Sequence, residues 1–320
     1  MKLSRRSFVS VAVLSNVAPF ATSSLLAGRA HAQDTTIKVG ALRTISAISQ
    51  FMYERFQPPG MKIEIVAFAS PADCKNALVS KSIDFAGFGV AAAISGAANG
   101  EPVSIIGGLC DGGMAVVAKK DLPIAKIADL KGRKVAIWPG STQEIFLFER
   151  LKMEGLSKAD ITPVRIFFSE MHAALARGDV DAYIGAEPAP AISVTSGVGK
   201  IVEYPYSTPM GALNVIFATR PDHIKERPAL VRAMMKTHRQ ASEFCMSSKE
   251  ETVQAAMKVF SMQRDAVEAS FANIMVNWRL SPELIQRATI YSQHMLDLRQ
   301  IRQQPDLAAL MQPSFSRELA

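Results

Sequence analysis

From Thr36 onward, short apolar runs of strand length alternate with stretches whose apolar positions recur at helical spacing. Ile37-Lys38-Val39-Gly40 reads as a strand, 46–57 as a helix, Ile63-Glu64-Ile65-Val66 as a strand, 71–80 as a helix and Ile83-Asp84-Phe85-Ala86 as a third strand. This order is the grammar of parallel strands, which need a crossover that a helix supplies. Runs at 103–109, 114–118, 135–137, 164–168 and 182–184 continue it, so the spacing predicts an α/β fold with a largely parallel sheet. After Pro221 the pattern changes. Apolar positions over 221–300 keep helical spacing, and consecutive amphipathic helices without a strand are expected there.

Two β-rich runs, Met114-Ala115-Val116-Val117-Ala118 and Leu213-Asn214-Val215-Ile216-Phe217-Ala218, read as passages between domains. They enclose roughly 95 residues, a domain-sized piece. The expected organisation is a first lobe of residues 33–118 and 212–320, carrying the C-terminal helices, and an inserted second lobe of 119–211. Two crossings of this kind create a cleft and a hinge suited to closing on a ligand.

Residues 1–32 read as a removable leader. Arg5-Arg6 precede an apolar stretch, 9–26, that Ser15, Asn16 and Pro19 interrupt. It falls short of the about 20 predominantly apolar residues of a membrane span. Ala30-His31-Ala32 supplies a cleavage signal before Gln33, and the paired arginines resemble the twin-arginine export signal. Leu25-Leu26-Ala27-Gly28 is followed by Arg29 where lipid attachment requires cysteine, so a soluble periplasmic protein is expected rather than a lipoprotein. The leader holds Lys2, Arg5, Arg6 and Arg29 and no acid, which accounts for much of the formal charge of +7. The remaining cations are dispersed and exclude the clustered basic face of a nucleic-acid binder.

Signals for chemistry are few. His172, His223, His238 and His294 lack metal-ligand spacing, and no G-x-S-x-G is present. Cys74, Cys110 and Cys245 permit at most one disulfide in an oxidising compartment, or serve as small buried hydrophobes. Gly87-Phe88-Gly89-Val90-Ala91-Ala92 fits G-x-G-x-x-A, with Asp111 about 20 residues beyond it. That keeps open an exported dinucleotide-dependent oxidoreductase, although the motif follows the third strand rather than the first.

More specific are Lys126-Ile127-Ala128-Asp129-Leu130-Lys131-Gly132-Arg133-Lys134-Val135-Ala136, then Pro139-Gly140-Ser141-Thr142, Ala173-Ala174-Leu175-Ala176-Arg177-Gly178-Asp179-Val180-Asp181-Ala182 and Glu187-Pro188. Upstream, Ala77-Leu78-Val79-Ser80-Lys81-Ser82-Ile83-Asp84-Phe85-Ala86 is a first-lobe counterpart. In order and spacing these phrases resemble the nitrate/sulfonate/taurine and thiamine-precursor class of ABC-transporter solute-binding proteins. The resemblance implies two Rossmann-like lobes around a central cleft, as in type II periplasmic binding proteins. It also implies a monomeric binder that catalyses no reaction, holds no cofactor, and delivers its solute to a membrane permease and its ATPase. The expected solute is a sulfonate or aminosulfonate, with a thiamine-type pyrimidine as the alternative; the iron-binding cysteine motif of pyrimidine-forming relatives is absent.

Candidate ligand groups follow from position. Arg43 and Thr44 stand at the carboxyl end of the first strand, where open α/β sheets bind ligands, and Arg43 suits a bidentate contact to an oxyanion or a solvated loop position. Gly89-Val90 and Asp111-Gly112 follow two further strands as rim. Ser141 and Thr142 open a helix and either offer their first-turn N–H groups to a ligand or cap that helix with Glu144. Trp138 is the candidate aromatic flank, and Asn214 lies in the second passage. Glu187 matches the family's Trp-Glu-Pro position with Ala186 in place of the aromatic. Arg43 and Glu187 facing the cleft together would suit a zwitterion.

Overall fold

The computed structural model describes residues 35–320. The leader expected over 1–32 lies outside the described residues. In chain order the strands are β1 (Thr35–Leu42), β2 (Met61–Phe68), β3 (Phe85–Gly89), β4 (Ser104–Gly112), β5 (Met114–Lys119), β6 (Lys134–Ile137), β7 (Thr162–Arg165), β8 (Ala182–Ala186), β9 (Gly199–Glu203), β10 (Val215–Thr219) and β11 (Ile274–Val276). The α-helices are α1 (Pro71–Val79), α2 (Val90–Ala98), α3 (Thr142–Met153), α4 (Phe168–Arg177), α5 (Ala189–Thr195), α6 (Pro221–Glu226), α7 (Pro228–Ser247), α8 (Lys249–Phe260), α9 (Arg264–Phe271), α10 (Pro282–Asp297), α11 (Leu307–Leu310) and α12 (Ser314–Arg317). Residues Ile45–Phe56 coil as a 3-10 helix where the periodicity predicts an ordinary one.

Two sheets form, ordered β11-β4-β10-β3-β1-β2 and β7-β6-β8-β5-β9. Strand β1 shows why the first sheet is central. It begins exposed at Thr35 and Thr36, buries Ile37 and Val39 on alternate positions, and is wholly buried from Gly40 to Leu42. Strand β3 is buried throughout and depends on small residues, since a Cβ on Gly87 would collide with the Gln50 side chain. Gln50 in turn donates from Nε2 to the Gly40 carbonyl at 2.9 Å and pins the 3-10 helix to the sheet.

Both sheets are mixed rather than largely parallel. β10 runs antiparallel to β3 and β4, β11 antiparallel to β4, and β5 antiparallel to β8 and β9. The parallel pairs are β1 with β2 and β3, and β6 with β7 and β8. Neither run expected to cross between domains does so within its strand. β5 pairs only in the second sheet and β10 only in the first, so the chain crosses at Gly112-Gly113 and between residues 204 and 214. Strand β11 was also unexpected: three residues at a sheet edge are too few to display alternation inside a helical stretch.

The helices use familiar end chemistry. Pro71 and Pro282 open α1 and α10 at a position where a missing N–H costs nothing, and Ser70 and Ser281 cap them by accepting from Asp73 N and Leu284 N. One apolar core spans the junction of the sheets, joining Leu42, Phe88 and Ile105 to Ile137, Phe146 and Ile184, with Tyr291 and Met295 of α10. A second packs α7 against the far face of the first sheet. There His238, fully buried, faces the Gly108 carbonyl through Nε2 (2.7 Å) and Tyr53 Oη through Nδ1 (2.8 Å), and burial depresses its pKa to about 4. The neutral tautomer with hydrogen on Nε2 satisfies both contacts.

Candidate functional site

Where the two sheets meet, four helices begin. Pro71 at the start of α1, Gly89 before α2, Gln143 in the first turn of α3 and Phe168 at the start of α4 line one small pit of about 10 Å³. That is room for a single water at most, so the two sides are closed on each other. Helix starts carry N–H groups without intrahelical partners and a partial positive charge. Some are already satisfied: Ser141 Oγ accepts from Glu144 N at 3.2 Å, and Val90 N donates to the Asn214 carbonyl at 2.9 Å. The Ser46 hydroxyl, which also lines the pit, is buried yet makes no hydrogen bond among the described residues. It touches the Cys110 thiol, a weak partner that itself donates to the Asp111 carbonyl at 3.3 Å.

Asn214 holds the seam. Its carbonyl accepts from Val90 N (2.9 Å) and Thr142 Oγ1 (3.5 Å), its Oδ1 accepts from Gln143 Nε2 (3.4 Å), and its Nδ2 donates to the Gly112 carbonyl (2.5 Å). One side chain thus ties the α3 end of the second sheet to both crossings. Gly112 N donates to the Ala212 carbonyl at 2.6 Å, linking the crossings again. Gly112 and Gly113 take φ of +70° and +71°, the left-handed region that glycine enters without a Cβ penalty.

Outward from the pit, sharing Thr44, Phe168 and Ala186 with it, opens a chamber of about 510 Å³. Among the described residues, Arg43, just past the end of β1, supplies its only formally charged lining group, and no carboxylate lines it. His172 is there too, its Nδ1 3.1 Å from Ser193 Oγ, and burial lowers its pKa by disfavouring the charged ring.

The structure brings Arg43, Thr44, Gly89, Thr142 and Asn214 to this seam, together with Ser141 and Val90 at the helix starts. For Ser141 it shows the capping role. Glu144 completes the turn, its carboxylate accepting from Gly140 N at 2.8 Å, while burial raises its pKa against that bond and Lys158. Trp138 does not reach the cavity. Its indole stacks on Phe167 (centroids 4.0 Å apart) with the Arg165 guanidinium 4.7 Å from its centroid.

Glu187 does not face Arg43 as a charge pair either. It is buried, its Oε1 accepts from Asn273 Nδ2 (2.9 Å) and its Oε2 from Ala191 N (3.1 Å) and Ser270 Oγ (3.3 Å), so it stitches α5 to α9. Burial raises its pKa; those three donors pull the other way. Asp111 turns from the cavity toward Asn277 and Arg287, and burial lifts it to about 6. Sequence reasoning missed Ser46, Gln143, Phe51, Phe168 and Phe260. Ser46 carried a signal, a polar residue in the first turn of the helix that follows the first strand; Phe260 had none, lying far along the chain at the end of α8.

Two sheets joined by two crossings, with opposed helix starts closing on a pit, define the two-lobe fold of the periplasmic binding proteins. The fold matches that of the alkanesulfonate-binding protein SsuA from Xanthomonas axonopodis pv. citri bound to MOPS, with a TM-score of 0.78 and 22% identity over 87% of this chain and 98% of that one. It also matches the periplasmic nitrate-binding protein NrtA from Synechocystis PCC 6803, with a TM-score of 0.71 and 18% identity over 89% and 88% of the two chains. A protein of Escherichia coli (strain K12) named for binding aliphatic sulfonates is 24% identical over 225 residues, 70% of each chain. The chain belongs to the NMT1/THI5-like family, whose model matches residues 55–252.

Proposed function

We propose that the protein is the periplasmic solute-binding component of an ABC importer and that it captures a small organic anion of the sulfonate type. The observation that carries this reading is the convergence of four helix starts on a pit whose Ser46 hydroxyl meets no protein group beyond the weakly polar Cys110 thiol. Buried polar groups seldom go unpaired, and an oxyanion entering as the lobes part would accept from that hydroxyl and from the helix N–H groups. Arg43, lining the adjoining chamber, adds charge of the right sign. The names of the sulfonate- and nitrate-binding relatives support the same class, and export by the N-terminal leader would deliver the protein to the compartment where they act. Its partners are then a permease and its ATPase, and it transforms nothing.

An amine-bearing ligand is not favoured, because both oxygens of Glu187 are engaged by protein donors. Thermal denaturation of the purified protein with sulfonates, nitrate, carboxylates and pyrimidines tests the reading, since a ligand of the folded form raises the midpoint. Sulfonates are expected to raise it; a rise with pyrimidines alone, or with no solute, overturns it.

A further inference from the structure

The pit and the outer chamber are unequal, at about 10 and about 510 Å³. The larger falls among the pockets of about 300–1,000 Å³ that enclose ligands of drug size. Its walls are apolar: Phe51 and Phe260 meet edge-on with centroids 5.6 Å apart, and Phe168, Ile192 and Met262 complete the surround. Val259, at 38% exposure, lies on its rim. Ser261, with φ of +54°, turns the chain left-handed directly after Phe260, where α8 ends, and Val259–Met262 line the chamber on both sides of that turn.

We infer, resting on the anion-binding reading above, that the solute is an amphipathic monoanion. Its head sits by Arg43 and the pit, its body is a ring or branched hydrocarbon filling the chamber, and residues 259–262, the end of α8 and the turn after it, select which bodies fit. Among the described residues the chamber has one cation and no carboxylate, so an ammonium group would enter it without a counter-charge. Nitrate or a two-carbon sulfonate would leave Phe51, Phe168 and Phe260 wet, forfeiting the burial that their area can supply. A ring between aromatic edges gains that burial and edge-to-face contact besides.

Calorimetric titration of the purified protein with nitrate, taurine, ethanesulfonate, benzenesulfonate, naphthalene-2-sulfonate and neutral benzenesulfonamide tests this. Affinity is expected to rise at least about tenfold from ethanesulfonate to an arylsulfonate, with taurine below ethanesulfonate. Phe260→Ala should weaken the arylsulfonate about tenfold and ethanesulfonate less than about threefold. Val259→Asp, at an exposed site where folding is not at stake, should weaken the arylsulfonate by a similar factor. Equal affinity for ethanesulfonate and the arylsulfonates, or equal losses for both in the variants, overturns the inference and leaves the anion reading standing. Benzenesulfonamide binding as tightly as benzenesulfonate, or no anion binding at all, overturns the anion reading and the inference with it.

Discussion

The hydroxyl of Thr142, at the start of α3, stands 2.5 Å from where a Cβ on Gly89 would lie. The two residues belong to opposite sides of the seam, so this contact sets how closely the lobes approach. Gly89→Ala is expected to fold normally, since φ of −61° suits alanine, but to hold the lobes apart. Solute affinity should fall at least about tenfold, roughly 1.4 kcal/mol. Adding Thr142→Ala removes the oxygen and leaves the next atom at 3.6 Å, which should restore most of the loss in a titration of the double variant. Failure of that rescue would mean that closure is limited elsewhere.

Ser46 and Arg43 should separate binding from stability. Removing a buried hydroxyl whose only partner is a thiol costs the folded protein little, so Ser46→Ala should leave the denaturation midpoint unchanged or slightly raised while weakening an anion about three- to tenfold. Arg43→Gln should also keep the midpoint and weaken the anion more, about ten- to a hundredfold, as loss of a charge-assisted bond implies. A lowered midpoint with intact affinity in either variant would make that residue structural.

Glu187→Ala reverses the pattern. It strips Ala191 N, Ser270 and Asn273 of a shared acceptor, a loss of roughly 1–3 kcal/mol of stability by denaturant unfolding. Affinity of the folded variant should stay within about threefold. Reduced affinity at unchanged stability would return Glu187 to the ligand.

Asp111 gives a pH dependence. Burial lifts its pKa from 3.8 to about 6, with Arg287 and Asn277 opposing. Between those values the folded form holds a proton that the unfolded form has released, so its contribution to stability falls as pH rises from about 4 to about 6 and stays low above. Asp111→Asn should therefore gain roughly 1–3 kcal/mol relative to the parent on moving from pH 4 to pH 7.5. A variant offset that does not change with pH refutes this.

Cys74, Cys110 and Cys245 are all buried and unpaired, and burial raises each thiol pKa, Cys110 and Cys245 to about 12. A thiol reagent should label none quickly in the folded protein and three after denaturation, and a reductant should not move the midpoint. Prompt labelling of any one would show that its site opens.

How much of this was legible depends on the range of the interaction. The apolar runs and helical spacing of 35–89 disclosed β1, β2, α1 and β3, because those patterns are local to each segment. β11 was invisible because pairing with β4, not its own pattern, makes it a strand. In the site, Arg43 and Thr44 were readable from strand-end position, whereas Phe260 joins them only through the tertiary fold. Trp138 and Glu187 were misplaced for one reason: residue type announced chemistry, but Phe167 and Arg165 claim the indole, and Asn273, Ser270 and Ala191 N claim the carboxylate.

The position of β10 between β3 and β4 bears on how the chain acquires its structure. The second sheet draws β5 to β9 from one unbroken stretch, so its pairings are comparatively local and quick to form. The first must keep a slot open beside β3 until that whole stretch has emerged and β10 can enter. Its contact order is higher, and its last step is slower. The stretch that forms the second sheet is then expected to fold first, leaving the apolar flanks of β3 and β4 as the surface most exposed to aggregation until β10 enters.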